Sequence, residues 1–438
     1  MNTPKAWQVG AAQVDITPKE SQFLFGYPHV DRYSTGVHDP LIAAAMFVGD
    51  GQTASLFVGG DAIFIPRDMA QRIRQRIAAE AGLPAEHVMV TASHTHSGPI
   101  TVSMISNEGD PHVPAPDPTY VAQLEDGFVE AGVQACRNAR PARLGYAVAD
   151  GSGLGTNRRD PAGPSIPDVP VLVARDAADE ALLAVMAVVS MHPTVLHEDW
   201  TQVSGDFPGL ARQHLRQTLG DCPFVYHMGA SGNQSPRHVT RANTIAEADR
   251  LGQMLSESIA AVIDKAKPVQ PVQVKCVQRQ VELPLRSFPP VNEARKQMDQ
   301  AVHRLKQLRE SHADRTEVRT AECDWFGAEE TFALAQASEQ GRLADAARAC
   351  QPAEVQVIQI GEHAFVGWPG EVFVEFAIEV MGQYPNVHVI TLANSDLQGY
   401  IVTQAAIDEG AYEAGNAIFA SPASGERLVQ ATLNLLRS

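Results

Sequence analysis

The 438-residue sequence has no apolar run long enough to cross a bilayer as a helix. Its most apolar stretch, residues 181–189 (ALLAVMAVV), is about half of the roughly 20 residues such a span requires. The opening residues, MNTPKAWQVGAAQVDITP, contain no apolar core of the kind a secretory signal needs, so a cytoplasmic location is expected. Basic side chains are scarce: 34 Lys+Arg stand against 51 Asp+Glu, and a formal charge of −17 repels a phosphate backbone, which excludes nucleic acid as a partner. The five cysteines (Cys136, Cys222, Cys276, Cys323, Cys350) are scattered and lack CxxC spacing, as suits reduced thiols in a core. Internal repeats, low-complexity tracts and long linkers are also missing. With 44% hydrophobic and 19% charged residues, the chain is expected to fold as one large domain over 1–438.

What the sequence does contain is a recurring layout. Residues 68–81 (DMAQRIRQRIAAEA) place Met69, Ile73, Ile77 and Ala81 on one helical face, and Gly82 with Pro84 supplies the stop. The apolar strand 88–90 then runs into Ala92-Ser93-His94-Thr95-His96-Ser97-Gly98-Pro99. The run 181–189 likewise ends at His192-Pro193, residues 223–226 precede GASGNQSP at 229–236, and residues 387–392 precede Ala393-Asn394-Ser395. Strands 355–360 and 364–368, joined by Gly361-Glu362, form a hairpin ending in Pro369-Gly370-Glu371. In α/β sheets ligands bind beyond the carboxyl ends of strands, so these loops point to one composite site. The expected architecture is α/β, with layered mixed sheets flanked by helices and the site at the carboxyl strand ends. Residues 291–350 carry the stripe Ala294, Met298, Ala301, Leu305 and Leu308, which predicts a surface helical hairpin with a structural role.

Two neutral imidazoles spaced as His94 and His96 can reach one metal ion, or one can ligate while the other faces substrate. A hydrogen-bonded pair of loop histidines is the commoner reading of an isolated HxH. His192 adds a third imidazole at a strand end. Ser235, in Gly232-Asn233-Gln234-Ser235-Pro236, does not sit in a GxSxG elbow, which speaks against a serine hydrolase of that type. Arg158 is a candidate for binding a carbonyl or carboxylate, although a solvated loop arginine is more common. Asp206 reads most simply as a helix N-cap.

Taken together and in order, Gly10 to Pro18, Thr35 to Leu41, ASHTHSGP at 92–99, Asn157-Arg158, His192-Pro193-Thr194, Ser204-Gly205-Asp206, Ser235-Pro236, Pro369-Gly370-Glu371, Tyr400 to Thr403 and Tyr412-Glu413 resemble the neutral/alkaline non-lysosomal ceramidase family. The resemblance implies a zinc-dependent amidase with His94, His192, Glu371 and Tyr400 as metal ligands. It further implies a substrate-facing His96, an arginine at Arg158, a second active-site tyrosine at Tyr412 and the family's serine at Ser235. The expected chemistry is attack of a zinc-bound hydroxide on the carbonyl of a small-molecule or lipid N-acyl amide, with His96 relaying protons and the tyrosines stabilising the oxyanion. A Ser235 nucleophile acting on an amide or ester, and a non-catalytic lipid- or metal-binding protein, are the alternatives. The chain departs from the family at Ile100-Thr101, at Asn233 and Arg237 around the serine, and in the loop 106–117, where substrate walls are expected; there Arg237 could meet a carboxylate. The signal peptide and C-terminal β-sandwich of secreted relatives are expected to be absent.

Overall fold

A computed structural model describes residues 6–438. The larger sheet contains β1 (Trp7–Asp15), β2 (Ile42–Gly49), β3 (Ala54–Gly60), β4 (Val88–Ala92), β5 (Arg140–Asp150), β6 (Asp168–Asp176), β7 (Leu182–Val189), β8 (Phe224–Met228) and β9 (Lys267–Val269). Its order is β8-β7-β6-β5-β1-β2-β3-β4, with β9 also on β5; only the outer pairs β8/β7 and β3/β4 are parallel. A second sheet, ordered β10-β11-β12-β13, comprises β10 (Val274–Val281), β11 (Ala353–Ile360), β12 (His363–Gly367) and β13 (Val387–Ile390). Helices α1 (Arg67–Ala81) and α2 (Pro118–Arg137) precede α3 (Asp206–Leu219) and α4 (Ile245–Ile263). In α1, Met69, Ile73 and Ile77 are buried as their spacing predicts, and the left-handed Gly82 closes the helix. The mixed, layered α/β architecture expected from the sequence is therefore present.

The site forms because the larger sheet is strongly twisted without closing into a barrel. Adjacent strands rotate by about 20–25°, so the six steps from β7 to β4 turn the strand direction by roughly 130° and bring both carboxyl ends to one side. The two sheet edges then touch: Thr91 Oγ1 and His227 Nδ1 are 2.7 Å apart. A segment beyond β13 joins both edges, with Thr391 N–H donating to Met228 O at 2.8 Å and Asn394 N–H to Val90 O at 2.8 Å.

Residues 291–350 differ from the expected hairpin. They form three helices, α5 (Val291–Glu310), α6 (Arg315–Glu339) and α7 (Leu343–Cys350). Only Ala294 and Leu305 of α5 are buried, but α6 buries Ala321, Cys323, Gly327, Glu330, Thr331, Leu334, Ala335 and Ala337. Glycines allow this close packing: a Cβ on Gly327 would lie 2.7 Å from the Cβ of Tyr412. So α6 is not a surface element but covers the site.

Candidate active site

His94 follows β4 in a left-handed conformation (φ 68°), an uncommon choice for a non-glycine residue that recurs at functional sites. Its backbone N–H donates to Ala62 O at 2.9 Å, and its ring Nδ1 lies 2.9 Å from Ile63 O. His192 follows β7, with Nδ1 2.6 Å from Ser231 O and 3.1 Å from Gln234 O. The Nδ1 proton of each ring therefore goes to a backbone carbonyl, which leaves the Nε2 lone pair facing inward in the neutral tautomer. Glu371 reaches the same point: its Oε2 is 2.9 Å from His192 Nε2 and 3.2 Å from His94 Nε2. All three residues are at most 4% exposed.

Lone pairs on two nitrogens and a carboxylate oxygen thus converge with no obligatory proton between them, and a cation satisfies this arrangement. His96 stands at its edge, with Nε2 3.2 Å from His94 Nε2 and its ring centroid 6.2 Å from that of His192. The ring nitrogens of His94, His96 and His192 lie within 4.8 Å of one another, close enough to hold a metal ion. Burial and then the neighbouring imidazoles push His96 well below its usual value; burial, against the pull of Glu371, takes His192 down to about 4. Burial opposes ionisation of Glu371, yet His94 and His192 hold its carboxyl well below the ordinary range.

Tyr400 is placed by backbone pairing: residues 371–372 and 400–401 form a short parallel ladder in which Glu371 and Tyr400 are register partners. Its ring is 6.2 Å from that of Tyr412, and the Arg158 guanidinium lies 5.2 and 5.1 Å from the two centroids. Burial drives both phenols upward, so each keeps its proton at neutral pH. Arg158 is not a solvated loop residue: it is buried, its Nε donates to Glu413 Oε1 at 2.9 Å, and among the described residues its Nη2 has no hydrogen-bond partner. Ser235 pairs with Thr156 across a short antiparallel ladder that brings the serine loop against the Asn157-Arg158 segment. Its Oγ accepts the Arg237 N–H at 3.2 Å, and among the described residues no imidazole or carboxylate hydrogen-bonds it.

His96, Arg158, Ser235, Tyr400 and Tyr412 line one cavity of about 120 Å³. His94 and Glu371 line a neighbouring one of about 80 Å³, which shares His96 and Tyr400; His192 is enclosed behind them. The residues singled out in the sequence are therefore gathered in one place.

Several wall residues are not where the sequence suggested. Ile100 is packed in the core, and Thr101 spends its hydroxyl on Phe64 O at 2.7 Å. Asn233 turns away to donate to Glu375 at 2.8 Å and accept from Val374 N–H at 3.1 Å. Asp206 does not cap α3 but is its first residue, and its carboxylate accepts the N–H groups of Val195 and Leu196, anchoring the His192 loop. The sequence reading missed Gly26, at φ 120°, where a Cβ would lie 2.4 Å from His96 Nδ1. It also missed Arg319, Cys323, Phe326 and Glu330, which α6 contributes to the cavity. A glycine beside Tyr27 and a charged helix without a strong apolar stripe carry no signal for such roles.

Residues 7–162 match the family described as neutral/alkaline non-lysosomal ceramidase, N-terminal; this segment includes His94, His96 and Arg158 but ends before the other site residues. The neutral ceramidase of Mycobacterium tuberculosis (strain ATCC 25618 / H37Rv) is 23% identical over 240 residues, covering 50% of this chain and 37% of that relative. The match thus spans little more than a third of the relative's length. The crystal structure of neutral ceramidase from Pseudomonas aeruginosa superposes with a TM-score of 0.75 at 17% identity, over 99% of this chain and 75% of that one. A ceramidase complexed with C2 gives 0.74 at 16% identity with the same coverage. At such identities the structural likeness speaks for the fold, while the motifs and the matched segment speak for descent. The segment 7–162 is thus similar to that family, and the fold over the described chain is similar to that of solved neutral ceramidases.

Proposed function

We propose that this chain is a zinc-dependent amidohydrolase that cleaves an N-acyl amide, ceramide being one candidate substrate. The observation that carries this reading is the convergence of His94 Nε2, His192 Nε2 and Glu371 Oε2, with both Nδ1 atoms committed to carbonyls. His94, His192 and Glu371, with Tyr400 beside the carboxylate, would hold the metal and leave His96 to face substrate. Zinc bound there would supply a Lewis acid for the amide carbonyl and a water acidic enough to attack it at neutral pH.

The chain's own residues account for the other requirements. His96, whose buried Nδ1 has no partner, would take a proton from the attacking water and return it to the leaving amine. The hydroxyls of Tyr400 and Tyr412 would donate hydrogen bonds to the oxyanion of the tetrahedral intermediate. Arg158, fixed by Glu413 and by both tyrosine rings, would orient the carbonyl through its unpartnered Nη2. Ser235 lacks an adjacent base, which favours a positioning role over nucleophilic attack.

Elemental analysis of protein purified without added metal should find about one zinc per chain. That protein should hydrolyse members of a panel of N-acyl sphingosines, N-acyl amino acids and anilides, and EDTA should abolish turnover. Hydrolysis of matched esters alone, or activity that survives complete metal removal, would replace this reading with a metal-independent esterase.

A further inference from the structure

A second cleft adjoins the cavity between α6 and the loops after His192 and Ser235. It has a volume of about 390 Å³ and is lined by Arg237, Arg315, Arg319, His197, Glu198 and Glu322, among others. In a chain of formal charge −17, this cleft gathers three arginines against two carboxylates. Both carboxylates are engaged by one arginine: Arg319 Nη1 lies 3.3 Å from Glu198 and 2.9 Å from Glu322, while its buried Nε has no partner. Arg315 spends its guanidinium on Arg241 O, at 3.1 Å, and on the Asn243 side chain.

Arg237 is the distinctive member. Among the described residues no carboxylate pairs with it; its Nη2 meets only the Cys323 sulfur, at 3.3 Å. It lines both the cleft and the cavity that holds His96, Ser235 and Tyr412. Its half-buried position follows from Ser235 and Pro236, which start a short 3-10 turn and fix where residue 237 points. After burial, the charges of Arg319, Arg237 and Arg315 all act to hold the His197 imidazole well below its usual value, so the three guanidiniums are felt at one point. The neighbouring cavity of about 80 Å³, which holds His94 and Glu371, sets Phe25, Ile63, Phe64 and Met104 beside Ser106, Asn107, Glu330 and Asn416.

The cavity that holds His96, Ser235 and Tyr412 therefore shares residues with a cationic cleft on one hand and with the small cavity of His94 and Glu371 on the other. We propose that the preferred substrate is an amide whose amine half carries an anionic group paired by Arg237, with Arg315 and Arg319 beside it. An oxyanion shared by two guanidiniums is the geometry that arginine serves best. The anion can be the carboxylate of an N-acyl amino acid or the phosphate of an N-acylated phosphoamino alcohol. This substrate class rests on the amidohydrolase reading above, whereas anion binding by the cleft does not.

The test compares N-hexanoylglycine, N-hexanoyl-O-phosphoethanolamine and neutral N-hexanoylethanolamine. Dissociation constants are measured by calorimetry on the full chain after EDTA treatment, and kcat/KM on the zinc-loaded enzyme. At least one anionic amide should bind about tenfold or more tighter than the neutral one, equivalent to about 1.4 kcal/mol, and the preference should weaken with salt. The better of the two identifies the anion. In Arg237→Gln the preference should collapse toward unity, in Arg237→Lys part of it should remain, and in Arg315→Gln it should fall less; thermal melts verify that each variant is folded. Equal binding of neutral and anionic amides by the wild-type chain, or an unchanged preference in Arg237→Gln, would overturn the proposal, even if metal-dependent hydrolysis of neutral amides upheld the amidase reading. Preferential binding without hydrolysis of any amide would uphold the anion site and sink the amidase reading instead.

Discussion

The floor and the roof of the cavity are built on different principles. The floor, His94, His192 and Glu371, is set by strand ends and by hydrogen bonds to the carbonyls of Ile63, Ser231 and Gln234. Its side chains are almost fully enclosed, so their positions are determined by many simultaneous packing and backbone constraints. The roof is α6, backed by the largely exposed α5 and joined to it by solvent-facing ion pairs such as Arg304 with Asp324 and Arg309 with Glu322. Exposed pairs such as Arg304 with Asp324 contribute about 0–1 kcal/mol each, so the outer α5, not the closely packed α6, is the part of the roof held least firmly. The contrast teaches a division of labour: the groups proposed to act on the bond stand on strand ends, and the helix that covers them is backed by an exposed layer.

The largest effects should therefore arise in the floor. His192→Ala should lower turnover on the order of 10³-fold or more and deplete the proposed metal site, because it removes one of the three convergent donors. Ser235→Ala, which removes one hydrogen-bonding group, should cost only roughly 10- to 100-fold. The two variants are compared by steady-state kinetics, zinc content and mass spectrometry after a rapid quench. A covalent acyl adduct on Ser235 would reverse their ranking and make the serine the nucleophile.

A smaller effect should come from the support beneath His96. Gly26→Ala adds no chemical group to the reaction, but its Cβ would overlap the His96 ring at 2.4 Å and must adopt φ 120°. Displacing a catalytic side chain by about 1 Å can cost on the order of 10²-fold, and the strained backbone about 1–3 kcal/mol. Gly109→Ala, where a Cβ meets nothing within 4 Å, is the matched control and should be silent. Wild-type kinetics and stability in Gly26→Ala would mean that the floor adapts as readily as the roof.

The effect on turnover should be smallest in the roof, where the readout is stability. Glu330, on α6, accepts from Asn107 Nδ2 at 3.2 Å, and burial pushes its carboxyl up from 4.5 to about 7. Between about pH 4.5 and 7 the folded chain retains a proton that the unfolded chain has released, so stability falls as pH rises through that window and levels off above it. Glu330→Gln cannot ionise and should lack this contribution, which is at most about 3 kcal/mol. Urea unfolding at pH 5 and pH 8 checks it. Parallel losses in wild type and variant would show that the roof is more open to water than its packing indicates.

The sequence by itself determined the helix ending at Gly82, the apolar strands and the fact that histidines and small polar residues cluster at strand ends, because periodicity and turn chemistry are local properties. It also named, from ordered motifs, residues that the fold brings together around one cavity. Only the tertiary structure decided how they meet. The orienting partners of His94 and His192 are backbone carbonyls, which every residue possesses and no side-chain pattern marks. Asn233 and Arg237 flank the same serine, yet one turns inward to Glu375 and the other toward the cavity, because side-chain direction in irregular backbone follows no period. The α6 helix shows the same limit: its buried face includes Glu330 and Thr331 and carries no strong apolar stripe, so only long-range packing determines that it lies over the cavity.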